Sequence, residues 1–550
     1  MCTAIVLQKR LVTVFVLAMT ILAAMHVSAV DAAADDAPSI VLTTRSRVAT
    51  PDGKYSTVNK TLTWNPRETA VVVCDMWDSH HCLNAVRRVT EMAPRMNQVL
   101  NIARDRGALI IHAPSSCTGP YKDHPARKRA QGAPMASNVP KDIGSWCSKI
   151  PSEEKGTYPI DQSDGGCDTP AAEQKAWQAK LKAAGLNPGA PWKRQIDVIE
   201  IKDEDAISDN GVEIWNLMEQ RGIKNVILLG VHTNMCVLGR PFGLRQMAKN
   251  GKHVVLMRDM TDTMYNPKMA PFVDHYRGTD LIVEHIEKFI CPTVLSSDLT
   301  GRPPFRFSID KRPHVVFLVG EKEYQTAGSL TAFAHDELES RGIACSFVHA
   351  DAKDINHFAG AQTIKTADVL FISVRRRTLP KEQLALVRAH AEAGKPIIGI
   401  RTASHAFSLR GEKKPPAGHA AWSEFDRDVL GGNYHGHHGG SGPVAMKPAD
   451  SSKDHPILRG VNVAAIKGGG SLYQTSPLAK TTTTLVIGSI PNKPAEPIAW
   501  THTYKGGRVF YTSMGHVDDF AQAEFRKLLV NAVFWTLDRK MAQKGHVSAR

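Results

Sequence analysis

Short, unbroken apolar runs rich in β-branched residues recur along the chain: residues 70–74 (AVVVC), 226–231 (VILLGV), 314–319 (HVVFLV) and 369–372 (VLFI). Runs of this length, without polar alternation, are the mark of strands buried on both faces, and such strands occur in parallel sheets covered by helices. Between them lie segments of helical period. In residues 83–103, Leu83, Val86, Val89, Met92, Met96, Val99 and Ala103 recur at spacings of three and four. Alternating strands and helices predict an α/β fold with parallel sheets.

The rhythm occurs twice, which suits a chain of 550 residues, too long for one ordinary domain. In the first half, strands are expected at 70–74, 108–112, 196–201, 226–231 and 253–257, with helices at 211–219 and 237–249. The Pro- and Gly-rich stretch 292–313 reads as a linker. The second half restarts with strands at 314–319, 345–348, 369–372, 396–400, 498–501 and 508–512. The predicted domains are therefore 40–291 and 314–540. Residues 114–191 interrupt the first. That stretch is far longer than the ~4–6 residues of a usual connection and reads as an insertion that covers or shapes a site.

Composition narrows the function classes. Apolar residues make up 42% and charged residues 22%, values of a globular protein rather than a disordered or multi-spanning one. The net charge of +14 is scattered, with no stripe of basic and aromatic residues, so no nucleic-acid partner is expected. Residues 1–29 resemble an export signal: Lys9-Arg10, an apolar core over 11–24, and Val27-Ser28-Ala29 as a cleavage site. The expected location is periplasmic or secreted, with no membrane attachment after cleavage; a retained anchor is the alternative. Export permits disulfides. Cys147 and Cys167, both in the insertion, are the expected pair.

Ligands of open parallel sheets bind at the carboxyl ends of the strands. In the first half these ends carry Asp75, Lys202 and, after VILLGV, His232-Thr233-Asn234-Met235-Cys236. A thiol at a helix start beside an ammonium gains thiolate character, and a nearby carboxylate can take and return its proton. That set suits attack on a carbonyl carbon.

The segments VVVCDMWD, VIEIKDEDAIS and above all GVHTNMCV (230–237) resemble the isochorismatase-like cysteine hydrolases, which include nicotinamidases, over about residues 62–290. The resemblance implies an Asp75–Lys202–Cys236 triad, a cis peptide within 231–233, a small-molecule amide-type substrate and a homo-oligomer. Trp77, His112, His232 and Thr233 are the candidate substrate contacts. Asp78, His80 and His81 are candidates for a divalent metal, although the nicotinamidase metal motif is not reproduced. Arg240-Pro241 stands where small residues usually follow the cysteine.

The second half resembles the trehalose-utilisation (ThuA-like) family over about 312–538, through YHGHHG (434–439), DHPILRGV (454–461), GSLYQTSPL (470–478) and GHVD (515–518). This implies a class I glutamine-amidotransferase-like fold and a carbohydrate-related ligand. Arg401 stands where an amidotransferase would carry its cysteine, so glutaminase chemistry is not expected. His438 and His516 are further metal or sugar candidates, with His435 and His437 beside them. The sequence reading is an exported cysteine hydrolase. Its rivals are a binding protein without catalysis and a carbohydrate-active enzyme seated in the second half.

Overall fold

The computed structural model describes residues 38–540, apart from 52, 54, 412 and 440–443; the predicted export signal lies outside the described residues. Twenty strands form two eight-stranded sheets and two short ladders. The first sheet contains β1 (Ile40–Ala49), β2 (Tyr55–Trp64), β3 (Thr69–Cys74), β4 (Leu109–Ala113), β5 (Ala206–Ile207), β6 (Asn225–Val231), β7 (His253–Asp262) and β8 (Thr293–Val294). Their order is β2-β1-β8-β7-β6-β3-β4-β5. Strands β3 to β8 run parallel, and the β1–β2 hairpin closes one edge antiparallel.

The second sheet contains β9 (His314–Gly320), β10 (Ala344–His349), β11 (Val369–Val374), β13 (Ile397–Ile400), β16 (Ala445–Pro448), β18 (Thr483–Ser489), β19 (Glu496–Tyr504) and β20 (Gly507–Thr512). Its order is β10-β9-β11-β13-β20-β19-β18-β16, parallel up to β20 and antiparallel beyond it. The small ladders pair β12 (Leu379–Pro380) with β14 (His419–Ala420) and β15 (Gly436–His437) with β17 (Tyr473–Gln474). Both faces of both sheets are packed, because alternate residues of β3 and β9 go to opposite apolar clusters. The expected α/β class, with two mostly parallel sheets, is what the chain adopts.

Two sequence expectations about elements fail, and both failures shape the site. Residues 196–201 (IDVIEI) form no strand. Ile196 N–H donates to the Met76 carbonyl and Ile199 N–H to the Ile196 carbonyl, closing a turn. The strand next to β4 is the two-residue β5, whose Ala206 and Ile207 pair with Ile111 and His112. The helix expected over 237–249 is broken into Cys236–Gly239 and Leu244–Lys249. Pro241 is the cause. A residue before proline is driven out of the helical region, and Arg240 is extended at φ −57°, ψ 155°.

The insertion 114–191 is held by buried polar contacts. Glu153 accepts from Arg245 Nε and Nη2 at 2.8 Å each and lies 2.9 Å from His285 Nε2. Burial pushes the Glu153 carboxyl up, but hydrogen bonds from His285 and Arg245 outweigh it and hold it at about 2. A depressed native value contributes stability above the unfolded-state value, near 4.3, that is lost as pH falls towards 2. Glu153→Gln is therefore expected to flatten the acid limb of the thermal-stability profile between about pH 4.5 and 2. An unchanged limb would show that this cluster does not anchor the insertion.

Candidate active site

Asp75 is the first residue after β3. It is fully buried, with φ +47°, a left-handed conformation that short polar side chains tolerate better than most. Its Oδ1 accepts from Ser115 N–H at 2.7 Å, and its Oδ2 accepts from Arg240 Nε at 3.1 Å. The Cys236 thiol lies close enough for the charges of Asp75 and Arg240 both to act on it. Acid, thiol and guanidinium thus form a three-cornered cluster at the carboxyl edge of β3 and β6. Pro241 produces it: by ending the helix at Arg240, it turns the guanidinium back over the carboxylate.

The structure brings Asp75 and Cys236 together but not Lys202. Lys202 lies upstream of β5 rather than at a strand's carboxyl end, with its side chain 46% exposed and its Nζ 2.9 Å from Glu200. Its backbone N–H donates to Asp205 Oδ2 at 2.7 Å. The resemblance implied Asp75, Lys202 and Cys236; the basic side chain that contacts Asp75 is Arg240, while Lys202 pairs with Glu200. The alternating pattern of 196–201 suggested a strand that would have delivered the lysine, and the turn at Ile199 prevents it. Arg240 was visible in the sequence only as a departure from the family pattern.

The electrostatics also reverse an expectation. Burial raises the Cys236 thiol, the Asp75 charge raises it further, and Arg240 only partly offsets them. Burial likewise raises Asp75 above the usual carboxylate range against the pull of Arg240. The resting pair is a neutral thiol beside a carboxylate rather than a standing thiolate. Iodoacetamide is therefore expected to label Cys236 more slowly than a free cysteine at pH 7.5, since only the thiolate reacts and the residue is buried, 8% exposed. Peptide mapping of the alkylated protein checks this; faster labelling than a model thiol would contradict the assigned environment.

The remaining candidates separate into wall and scaffold. Trp77 stacks on Trp192 with ring centroids 4.7 Å apart, and His80 lies 4.9 Å from His232 and 4.1 Å from His81. Asp75, Trp77, His80 and His232 enclose a cavity of about 10 Å³, room for one water. Burial holds His232 at about 3 and pushes His80 and His81 below the usual histidine range, so these rings are neutral near pH 7. The His232 Nε2 is buried with no hydrogen-bond partner among the described residues. The peptide Val231–His232 is cis, within the stretch where the family resemblance placed such a bond.

Thr233 and His112, expected as substrate contacts, are both engaged by protein groups. Thr233 Oγ1 pairs with Thr261 Oγ1 at 2.7 Å, and its N–H donates to the Asp262 carbonyl. His112 uses both ring nitrogens, on Gln195 at 3.0 Å and Asp205 at 3.1 Å. Asp78 is likewise engaged, accepting from the backbone N–H groups of Lys193 and Arg194. The Asp78, His80 and His81 side chains therefore do not converge as a metal site.

Among the described residues, one trio brings three ligand atoms within 4.8 Å of one another: Glu284, His335 and Glu339. A cation already stands there. Arg277 Nη1 is 2.7 Å from Glu284 and 3.0 Å from Glu339, so the donors fit an internal ion pair better than a metal ion.

In the second half, Arg401 follows β13 as Asp75 follows β3, again with a left-handed φ of +43°. Its guanidinium is sandwiched between Tyr324 and Tyr473, 4.4 and 4.6 Å from the ring centroids, and donates to the Ser513 carbonyl at 2.7 Å. His438 Nε2 lies 3.2 Å from Glu496, and His516 caps the helix Val517–Phe520. His435 and His437 stay in the loop and β15. A polar cavity of about 350 Å³ opens beyond β11 and β13, lined by Arg376, Ser404, His405, Asp426, Asn433 and Tyr434 among others.

Comparison with known proteins finds similar solved structures and one matching family. A ThuA-like protein from Bacteroides uniformis is similar at 19% identity, covering 42% of this chain and 94% of its own, with a TM-score of 0.33. A cysteine hydrolase from Pseudomonas syringae pv. phaseolicola is similar at 16% identity, with coverages of 42% and 91% and a TM-score of 0.26. An isochorismatase family protein from Burkholderia thailandensis is similar at 13% identity, with coverages of 42% and 94% and a TM-score of 0.24. No curated protein matches the chain. Residues 315–536, from the second residue of β9 into the last helix, match the ThuA family, described as trehalose utilisation.

Proposed function

We propose that the amino-terminal half is a cysteine hydrolase that cleaves an amide or related C–N or ester bond of a small molecule. The observation that carries this reading is the Asp75 carboxylate, held by the Arg240 guanidinium at 3.1 Å with the Cys236 thiol close enough to feel both charges. Asp75 takes the thiol proton as sulfur attacks the carbonyl carbon, a step that burial of the carboxylate favours by raising its basicity. Protonated Asp75 then gives the proton to the departing amine or alkoxide, leaving an acyl thioester on Cys236. Water attacks the thioester, Asp75 accepts its proton, and the acid product leaves as the thiol is restored.

Arg240 stays charged throughout and cannot shuttle protons. Its part is to offset negative charge as it passes between oxygen and sulfur. Substrate approaches past Arg240, whose side chain is 27% exposed, and the neighbouring Trp146, with the stacked Trp77 and Trp192 as an aromatic wall. The protein works after export, as a homo-oligomer, and the cavity beyond β11 and β13 takes a carbohydrate-related ligand. No cofactor is required by this chemistry.

The burial of Cys236 favours a second reading, a binding protein without turnover. One assay separates the two: a panel of small amides and esters is incubated with the full chain, and hydrolysis is followed together with intact mass. Turnover plus an acyl adduct on the Cys236 peptide supports the hydrolase. Absence of both across the panel, from protein shown to be folded, supports the binding reading.

A further inference from the structure

We propose that Cys82 and Cys167 are a dithiol–disulfide couple that fastens the insertion to the start of the long helix Leu83–Asp105. All eight described cysteines are free thiols in the structure. Cys167 lies against Cys82 and not against Cys147, the partner expected from the sequence. Cys82, Ala85 and Met264 form a small buried cluster on which Cys167 packs. Cys82 Sγ is 3.2 Å from Thr169 Oγ1, two residues beyond Cys167, and Cys167 Sγ donates to Gln174 Oε1 at 3.6 Å. Cys147 points elsewhere, towards the Lys149 carbonyl, with its N–H on the Gly239 carbonyl.

Noncovalent contacts already hold the two segments in register. Gln174 Nε2 donates to the His81 carbonyl at 2.6 Å, and Trp177 Nε1 to the His80 carbonyl at 2.9 Å. Arg88, one helical turn and a half past Cys82, takes Asp168 with two nitrogens at 2.8 and 3.0 Å. The cysteines are thus presented to each other by a docked interface, the arrangement in which closing a disulfide costs little rearrangement.

The chemical roles follow from exposure. Cys167 is partly exposed and Cys82 is buried at the helix start. With a small disulfide such as oxidised glutathione as oxidant, Cys167 loses its proton and attacks one glutathione sulfur. One glutathione thiol leaves, and a mixed disulfide remains on Cys167. Cys82 thiolate then attacks the Cys167 sulfur and expels the second glutathione. Two electrons pass from the two cysteines to the oxidant, and their two protons end on the two glutathione thiols.

This inference does not depend on the hydrolase reading. The test is the full chain incubated with oxidised or reduced glutathione, alkylated, digested without reduction and mapped by mass. A Cys82–Cys167 cross-linked peptide is expected after oxidation, absent in Cys82→Ser and Cys167→Ser and unaffected in Cys147→Ser. Because the bridge closes a long loop, the oxidised protein should melt on the order of 10 °C above the reduced one, with no such difference in Cys167→Ser. A Cys147–Cys167 peptide, or both thiols still alkylated after oxidation of folded protein, overturns the proposal. If the serine variants do not fold, the wild-type peptide map alone decides it.

Discussion

Cys236→Ala is expected to lower kcat/KM on any substrate found for the amino-terminal half by at least about 10³-fold, because it removes the thiol that the Asp75 and Arg240 charges act on together. The informative comparison is between the two basic residues. Arg240→Ala should cost about 10²-fold, the scale of losing one charged stabiliser of a developing anion, whereas Lys202→Ala should stay within about 2-fold. The first change also has a pH signature. Burial raises Asp75 and Arg240 opposes it. With the guanidinium gone, burial acts unopposed and the carboxyl holds its proton to higher pH. The base form is then lost earlier as pH falls, so the acid limb of kcat/KM should move upward in Arg240→Ala and stay in place in Lys202→Ala. A loss of activity in Lys202→Ala with Arg240→Ala unaffected would show that the lysine reaches the site during turnover and that the three-cornered cluster is a resting arrangement.

What the sequence revealed, and what it hid, divides along physical lines. Strands β3, β6, β9 and β11 were legible because they are buried on both faces, and such strands announce themselves as unbroken apolar runs. Asp75 and Cys236 were legible for the same reason, since Asp75 follows directly on such a strand and Cys236 stands five residues beyond the end of another. Residues 196–201 misled because three isoleucines and a valine interleaved with Asp197 and Glu200 look like a half-buried strand. In the fold, Ile199 is buried in a turn that no periodicity describes. The lysine after it was consequently assigned to an edge it does not reach.

Arg240 was hidden by the opposite kind of cause. Its position depends on one local event, the helix ending forced by Pro241, and on a tertiary contact with a carboxylate 165 residues earlier in the chain. Cys82 was hidden because its partner lies across the insertion, and only the docking of Gln174 and Trp177 on the His80–His81 backbone brings the two together. The short β5, with two residues and a buried neighbour on each side, carries too little pattern to be read at all.

Gly230→Ala is expected to abolish stable folding of the first sheet. Gly230 lies in β6 directly opposite Cys74 of β3 in the parallel register, one residue before the cis peptide. A Cβ there would sit 2.0 Å from the Cys74 carbonyl oxygen and 2.8 Å from its nitrogen, and both are backbone atoms that cannot turn aside. The φ of +111° adds strain of its own, because an L-residue rarely adopts it. Relieving the overlap would require β3 and β6 to separate at the point where Asp75 and Cys236 are positioned, so strand pairing and site geometry fail together. The expected cost exceeds ~4 kcal/mol, a large part of the stability of an ordinary domain. Gly222→Ala is the matched control: its φ is +64°, but nothing lies within 4 Å of a Cβ there, so only about 1 kcal/mol of backbone strain is expected. Soluble yield and thermal unfolding of the two variants measure the difference. Equal melting temperatures would mean that β3 and β6 can separate without loss, and the close backbone approach that sets Asp75 beside Cys236 would no longer account for the site.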